Sequence, residues 1–215
     1  MKINNILDLL DKMIPNPKCE LNYDKDYELL IATVLSAQCT DKRVNEITKI
    51  LFDKYDIYSL SRVKEKDIEK IIYSLGNYKK KSNYIIDLSK KLIKDYNGIV
   101  PNDRNYLETL PGVGRKTTNV VLSNLFDVPA IAVDTHVERV SKRLNLANEK
   151  DSVLEVEKKL MKKIPKDKWS RTHHQLVLFG RYTCKSIKPE CNKCLLKEYC
   201  KYYKKINNIG IIDIV

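Results

Sequence analysis

The sequence predicts an all-α protein built as two helical lobes, and three observations carry that expectation. Apolar residues recur at three- and four-residue intervals along almost the whole chain, the spacing that lines one face of a helix. Strict alternation of apolar and polar residues, the mark of a half-buried strand, is nearly absent. Glycine and proline fall between the periodic segments, at Gly98 and Pro101, Pro111 to Gly114, Pro129 and Pro165, where helices stop or start.

The elements follow in order. Met1 to Met13 carries Ile3, Ile6, Leu7 and Leu10 with Asp8 and Asp11 among them, so it reads as an amphipathic helix and not as the apolar core of a signal peptide. Leu29, Leu30 and Val34 mark a second helix, Val44, Ile47 and Leu51 a third, Ile68, Ile71, Ile72 and Leu75 a fourth, and Ile85, Leu88 and Leu92 a fifth. Beyond the Pro111 to Gly114 break the repeat resumes at Val120, Val121 and Leu125, then at Val137, Val140 and Leu144, at Val153, Val156 and Leu160, and at Leu176 and Val177. About ten helices are expected. Ile206 to Val215 lacks the pattern and reads as extended or disordered, and the loop from Asp127 to Ala132 is the expected hinge between lobes.

The chain has 215 residues, enough for real cores without disulfides. Lys and Arg outnumber Asp and Glu by 40 to 28, a net charge of +12, which favours a polyanionic partner such as nucleic acid or an acidic membrane surface. Part of that excess belongs to a composition rich in Lys, Ile, Asn and Tyr, as an AT-rich coding sequence produces. No run approaches the length of a membrane span, so a cytoplasmic protein is expected.

The stretch that promises chemistry is Leu110-Pro111-Gly112-Val113-Gly114-Arg115-Lys116. A Pro-Gly-x-Gly turn between two helices admits backbone conformations that a Cβ forbids and leaves free N–H groups at the start of the next helix, where a phosphate can bind. Lys116 falls in the first turn of that helix. There the positive end of the dipole and the neighbouring Arg115 disfavour another cation and favour a neutral amine, a nucleophile. A nucleotide-binding P-loop is excluded, because its lysine directly follows the last glycine and another glycine stands five positions before that one; here those places hold Arg115 and Thr109.

Val133-Asp134-Thr135-His136, whose aspartate lies eighteen residues beyond Lys116, opens another helix. Thr135-x-x-Glu138 reads as a capping box with Thr135 as the N-cap and Asp134 just before it. A lysine at one helix start and a carboxylate at the next suit chemistry at an acetal carbon: the amine attacks and the carboxylate stabilises positive charge on a sugar.

Four of the six cysteines crowd into the seventeen residues from Cys184 to Cys200, as Cys184-x6-Cys191-x2-Cys194-x5-Cys200. Such crowding points to metal, either a [4Fe-4S] cluster or an all-cysteine zinc site. Zinc sites more often pair two C-x-x-C hairpins and here there is one. Lys185, Lys188, Lys193 and Lys197 make the loop basic, suited to phosphates. Cys19 and Cys39 read as buried free thiols, and His173 and His174 as packing or surface residues. His136-Val137-Glu138 with a later Pro189-Glu190-Cys191 is a poor match to a zinc deaminase, which has no residue between Pro and Cys and would leave Cys184 and Cys200 idle.

These motifs, in this order, resemble the endonuclease III family of helix-hairpin-helix DNA glycosylases over nearly the whole chain. Leu110 to Lys116 is similar to its hairpin and catalytic lysine, Val133 to His136 to its catalytic aspartate segment, and the cysteine spacing to its [4Fe-4S] loop. Leu35-Ser36-Ala37-Gln38-Cys39-Thr40-Asp41 resembles an early signature whose glutamine enters the space left by a flipped nucleotide.

The resemblance implies a six-helix barrel lobe with the helix-hairpin-helix motif at residues 22–132. A second lobe is formed by residues 1–21 and 133–215, with the cluster loop at 184–200. DNA would lie in the cleft, with Lys116 and Asp134 catalytic, Gln38, Asn77, Gly112, Val113, Gly114 and Arg115 binding DNA, and Cys184, Cys191, Cys194 and Cys200 holding the cluster. It further implies a monomeric glycosylase and apurinic/apyrimidinic lyase that takes oxidised pyrimidines or abasic sites from double-stranded DNA, in the cytoplasm and, in a prokaryote, at the nucleoid. Asn77 departs from the family, which commonly has a bulky apolar wedge after Gly76; an amide offers the orphaned base hydrogen bonds in place of stacking. The alternatives are a monofunctional glycosylase of other lesion specificity and a non-catalytic helix-hairpin-helix protein that binds DNA.

Overall fold

The structure, a computed structural model, describes residues 2–207, and every regular element among them is helical. Twelve α-helices are joined by loops and three short 3-10 turns: α1 (Lys2–Met13), α2 (Asp26–Leu35), α3 (Asp41–Lys54), α4 (Ile57–Leu60), α5 (Glu65–Ile72), α6 (Tyr78–Tyr96), α7 (Arg104–Leu107), α8 (Arg115–Phe126), α9 (Thr135–Arg143), α10 (Val153–Lys163), α11 (Trp169–Tyr182) and α12 (Lys201–Ile206). The chain divides into two compact units, Cys19–Asp127 and a second drawn from Met1–Lys18 with Val128–Val215.

In the Cys19–Asp127 unit, α2 is the hub. Every residue from Tyr27 to Leu35 is buried, and a helix without a polar face must be surrounded; α3, α6 and α8 supply the surround. Its two buried polar side chains are satisfied locally. Glu28 Oε2 accepts from the Asp24 and Lys25 amides at 2.8 and 3.2 Å, and Thr33 Oγ1 donates to Leu29 O at 2.7 Å. α6 ends in a Schellman-type turn, with Asn97 and Gly98 in the left-handed region and the Gly98 amide bonded to Leu92 O at 3.0 Å.

The apolar repeat finds the nine longer helices. It misses α4 and α7, single turns whose caps rather than a repeat hold them: Asp56 accepts from the Ser59 amide and Asp103 from the Tyr106 amide.

The second unit packs Ile6, Leu7 and Leu10 of α1 against Val137 and Val140 of α9, Leu160 of α10, and Leu176 and Phe179 of α11. Leu196 and Cys200 of the cysteine loop sit in the same core, so that loop is anchored and not merely tethered. α9 approaches α11 so closely that a Cβ on Gly180 would stand 2.8 Å from His136 Cβ, a distance only glycine permits.

One expectation at the C-terminus needs correcting, because Ile206 closes α12 where the sequence pattern suggests an extended or disordered segment. The remainder of that segment, residues 208–215, lies outside the described residues. Among the described residues no helix is long and apolar enough to cross a membrane.

Candidate active site and cysteine loop

The glycine turn joins α7 to α8. Leu110 and Val113 are buried and clamp the turn from beneath, with the Val113 amide bonded to Leu110 O at 3.1 Å. Arg104 of α7 donates to Asn119 of α8 at 2.7 Å and ties the two helices together.

The two glycines serve different ends. Gly112 has φ +77°, and a Cβ there would lie 2.6 Å from Tyr84 Cδ2 and 3.1 Å from Val34 Cγ1, so packing demands glycine. Gly114, the N-cap of α8, is extended at φ −113° and ψ −177°, and a Cβ there would meet nothing within 4 Å. Room at Gly114 is therefore room for something outside the fold. Gly112, Gly114, Arg115 and Lys116 are all exposed, and Lys116 stands in the first turn of α8, beside amides that have no partner inside the helix. The Val113 side chain is buried, so any part it takes in binding falls to its main chain.

Asp134, not Thr135, is the N-cap of α9. Its Oδ1 accepts from the His136 amide at 2.9 Å and from the Val137 amide at 2.8 Å. A charged acceptor that satisfies two amides outcompetes a hydroxyl that satisfies one, and Glu138, freed from the expected box, pairs with Lys142 at 2.6 Å instead. The cap spares the second carboxylate oxygen. Beside it, burial pushes the His136 imidazole below the usual histidine range; the Asp134 carboxylate opposes this and Arg139 adds to it.

The far end of α9 grips the cysteine loop. Arg139 donates to Gly180 O at 2.8 Å and to Cys184 O at 3.2 Å. Arg143 donates to Lys185 O at 2.8 Å, to Ser186 O at 3.2 Å and to Cys184 Sγ at 3.3 Å, with its guanidinium 4.1 Å from the Tyr202 ring centre. Sequence reasoning misses both arginines. Their i,i+4 spacing places them on one face of α9, a signal that acquires meaning only once the loop's place is known.

Cys184, Cys191, Cys194 and Cys200 line one pocket with about 350 Å³ of space free of protein atoms, part of it open to solvent. Among the described residues, no three or more His, Cys, Asp or Glu side chains converge to hold a single metal ion. The Leu196 amide donates to Cys194 Sγ at 3.4 Å and the Tyr203 amide to Cys200 Sγ at 3.3 Å. Burial pushes the Cys194 and Cys200 thiols up, and the other loop cysteines add to the shift. Of the loop lysines, Lys185 pairs with Glu190 at 2.7 Å and Lys197 donates to Asn192 O at 2.8 Å, so the loop uses these two for its own shape.

Gln38 lies in the turn after α2 and Asn77 caps α6. Both are exposed, and both are held in the left-handed region, at φ 59° and φ 57°. They share the Cys19–Asp127 unit with the hairpin and Lys116, whereas Asp134 and the four loop cysteines belong to the other unit. Cys19 and Cys39 are half-buried rather than fully buried as expected.

An all-helical fold with a glycine hairpin opening a lysine-bearing helix defines a helix-hairpin-helix DNA repair protein, and a family model described as "HhH-GPD superfamily base excision DNA repair protein" matches residues 31–166. Within that superfamily the chain belongs to the endonuclease III family. Endonuclease III of Bacillus subtilis (strain 168) is 51% identical over 212 residues, 98% of this chain and 97% of its own. Endonuclease III of Escherichia coli (strain K12) is 42% identical over 203 residues, 94% of this chain and 96% of its own. Among solved structures, a trapped endonuclease III–DNA covalent intermediate superposes with TM-score 0.92 at 53% identity, over 96% of this chain and 99% of that one. A thermostable thymine-DNA glycosylase is more distant, with TM-score 0.81 at 25% identity over 95% and 97%. Membership makes the chain an enzyme of base excision repair, a DNA glycosylase and apurinic/apyrimidinic lyase, in a family that carries an iron-sulfur cluster.

Proposed function

We propose that the chain releases oxidised pyrimidines from duplex DNA and then cuts the strand 3′ to the emptied site, with Lys116 as the nucleophile. The observation that carries this reading is the exposed Lys116 in the first turn of α8, two residues beyond a glycine whose Cβ position is open space. The amides around Gly112 and Gly114 hold a backbone phosphate, with Arg115 beside them. The target nucleotide leaves the stack, because its sugar carbon is out of reach within the duplex. Gln38 fills the gap and Asn77 meets the orphaned base.

The Lys116 amine attacks C1′ while the bond to the base breaks, and the base departs with the bonding electrons and takes up a proton. The Asp134 carboxylate stabilises the positive charge that gathers on the sugar. Loss of a proton from the nitrogen and opening of the C1′–O4′ bond give a Schiff base. Loss of a C2′ proton then expels the 3′ phosphate, and water returns the lysine as a free amine. The neighbour trapped as a covalent intermediate with DNA, at 53% identity, is in keeping with this route.

The four cysteines suit a [4Fe-4S] cluster better than zinc. Zinc sites more often pair two C-x-x-C hairpins, and this loop has one, Cys191-x2-Cys194. A cluster there would supply a rigid core to a basic loop whose Lys188 and Lys193, not the two lysines spent on the loop's own shape, meet phosphates. The enzyme acts as a monomer in the cytoplasm, at the nucleoid of a prokaryotic cell.

The test is incubation with thymine-glycol duplex and borohydride. A covalent adduct is expected with the unaltered chain and none with Lys116→Ala. Base release without an adduct or a nick would replace this reading with a monofunctional glycosylase.

A further inference from the structure

We propose that Lys81 is the positioning residue that sets Gln38 for insertion into the duplex, an inference that rests on the DNA-contact role proposed above for Gln38. Lys81, in the first turn of α6, is 4% exposed, and burying an ammonium is costly unless its donors are matched. They are matched without a carboxylate. Its Nζ donates to Ala37 O at 2.8 Å, to Leu35 O at 3.0 Å and to Cys39 Sγ at 3.5 Å, three donors for three acceptors. Leu35 ends α2, where carbonyls lack helical partners and the dipole favours a cation.

These acceptors bracket Gln38 on both sides. The main-chain amide of the same lysine donates to Asn77 O at 3.0 Å. That bond is the first of α6 and any residue but proline would make it, so the lysine side chain itself holds the turn whose tip, Gln38, is exposed and left-handed. Left-handed backbone at a residue other than glycine persists where the surroundings impose it, and the Lys81 ammonium, bonded on both sides of Gln38, supplies that constraint. A lysine fits because a flexible stem with a compact charge reaches three scattered acceptors, whereas a planar guanidinium matches paired ones.

The test compares one abasic site in two settings, in duplex DNA and in a single-stranded oligonucleotide, using the full chain with its cluster. A single strand has no stack to open and no orphaned base, so Gln38 and Asn77 are idle there. Lys81→Met is expected to lower the ratio of duplex to single-strand cleavage about tenfold or more, since small misplacements of positioned groups carry losses of that order. An equal loss on both substrates, as general instability produces, would overturn the proposal, and so would an unchanged ratio. Combining Lys81→Met with Gln38→Ala should add little to the loss from Gln38→Ala alone; additive losses would show that Lys81 does not act through Gln38. Should Lys81→Met fail to fold, Lys81→Arg keeps the charge at the helix end but not the three-way match, and its ratio is expected to fall in the same direction; a wild-type ratio would sink the idea. An unaltered chain inert on both substrates would instead refute the proposed function.

Discussion

Arg143 Nη1 stands 3.3 Å from Cys184 Sγ, at the end of the helix that Asp134 begins. Eight residues of α9 therefore separate the carboxylate from the guanidinium that holds the cysteine loop. The fork spreads over Cys184 Sγ, Lys185 O and Ser186 O while its face stacks on Tyr202. Arg143→Ala leaves those acceptors unmet and is expected to cost about 2–3 kcal/mol, the worth of charge-assisted bonds plus a cation–π contact. Two measurements check it: urea unfolding, and the lifetime in air of the broad absorbance near about 400 nm given by thiolate-bound iron. Arg143→Lys keeps the charge and loses the fork, so it should recover only part of the loss.

The hairpin glycines should separate stability from binding. Gly112→Ala forces a Cβ against Tyr84 at a left-handed position, at an expected cost of about 2–4 kcal/mol. Gly114→Ala sits in extended backbone with open space ahead, so the melting temperature should hold or rise slightly. Its methyl group instead meets the incoming phosphate, and affinity for an abasic-analogue duplex should fall about tenfold, the worth of one bond to a charged group. Equal effects of the two substitutions on stability would contradict the geometry.

What the sequence discloses follows the range of the interactions. Nine helices announce themselves because a repeat of three to four residues needs two turns to be seen, and α4 and α7, held by Asp56 and Asp103, have only one. The glycine turn and its lysine are legible since seven adjacent residues carry them. The sequence puts the α9 cap one position too late because Asp-Thr offers two capping residues in a row, and only the carboxylate's two amide bonds decide between them. Lys81 and Arg143 are invisible to it for another reason: their partners lie 41 to 46 residues away and are mostly main-chain carbonyls, which no side-chain pattern encodes.

Asp134 carries a structural role and a proposed catalytic one, and two substitutions should split them. Asparagine is a good N-cap, so Asp134→Asn should keep stability within about 1 kcal/mol and leave DNA affinity close to unchanged. The charge is lost, and single-turnover base release should fall by about 10²–10³, the usual scale for removing one electrostatic stabiliser. Asp134→Ala removes both capping bonds as well, at about 1–2 kcal/mol. Full turnover in Asp134→Asn would confine the residue to its cap.

Acid should weaken the second unit through two histidines. Burial pushes the His174 imidazole below the usual range, and does the same to His136 against the pull of Asp134. A depressed folded pKa means that the unfolded chain binds the proton first, so stability rises with pH where the unfolded form is protonated. The neutral imidazoles thus contribute in full above the ordinary histidine pKa of about 6.5, and that contribution drains away as pH falls from there through the lower folded values. The melting temperature should drop steadily from pH 7 toward pH 5, read on a scale of about one ordinary histidine titration. His136→Gln and His174→Gln should each flatten the slope, together more than singly. A slope that survives both substitutions would rule these histidines out as its origin, because the partnered carboxylates, Asp11 with Arg171 and Asp151 with Lys159, have lowered pKa values and give up their contribution only below the ordinary aspartate value of about 3.9.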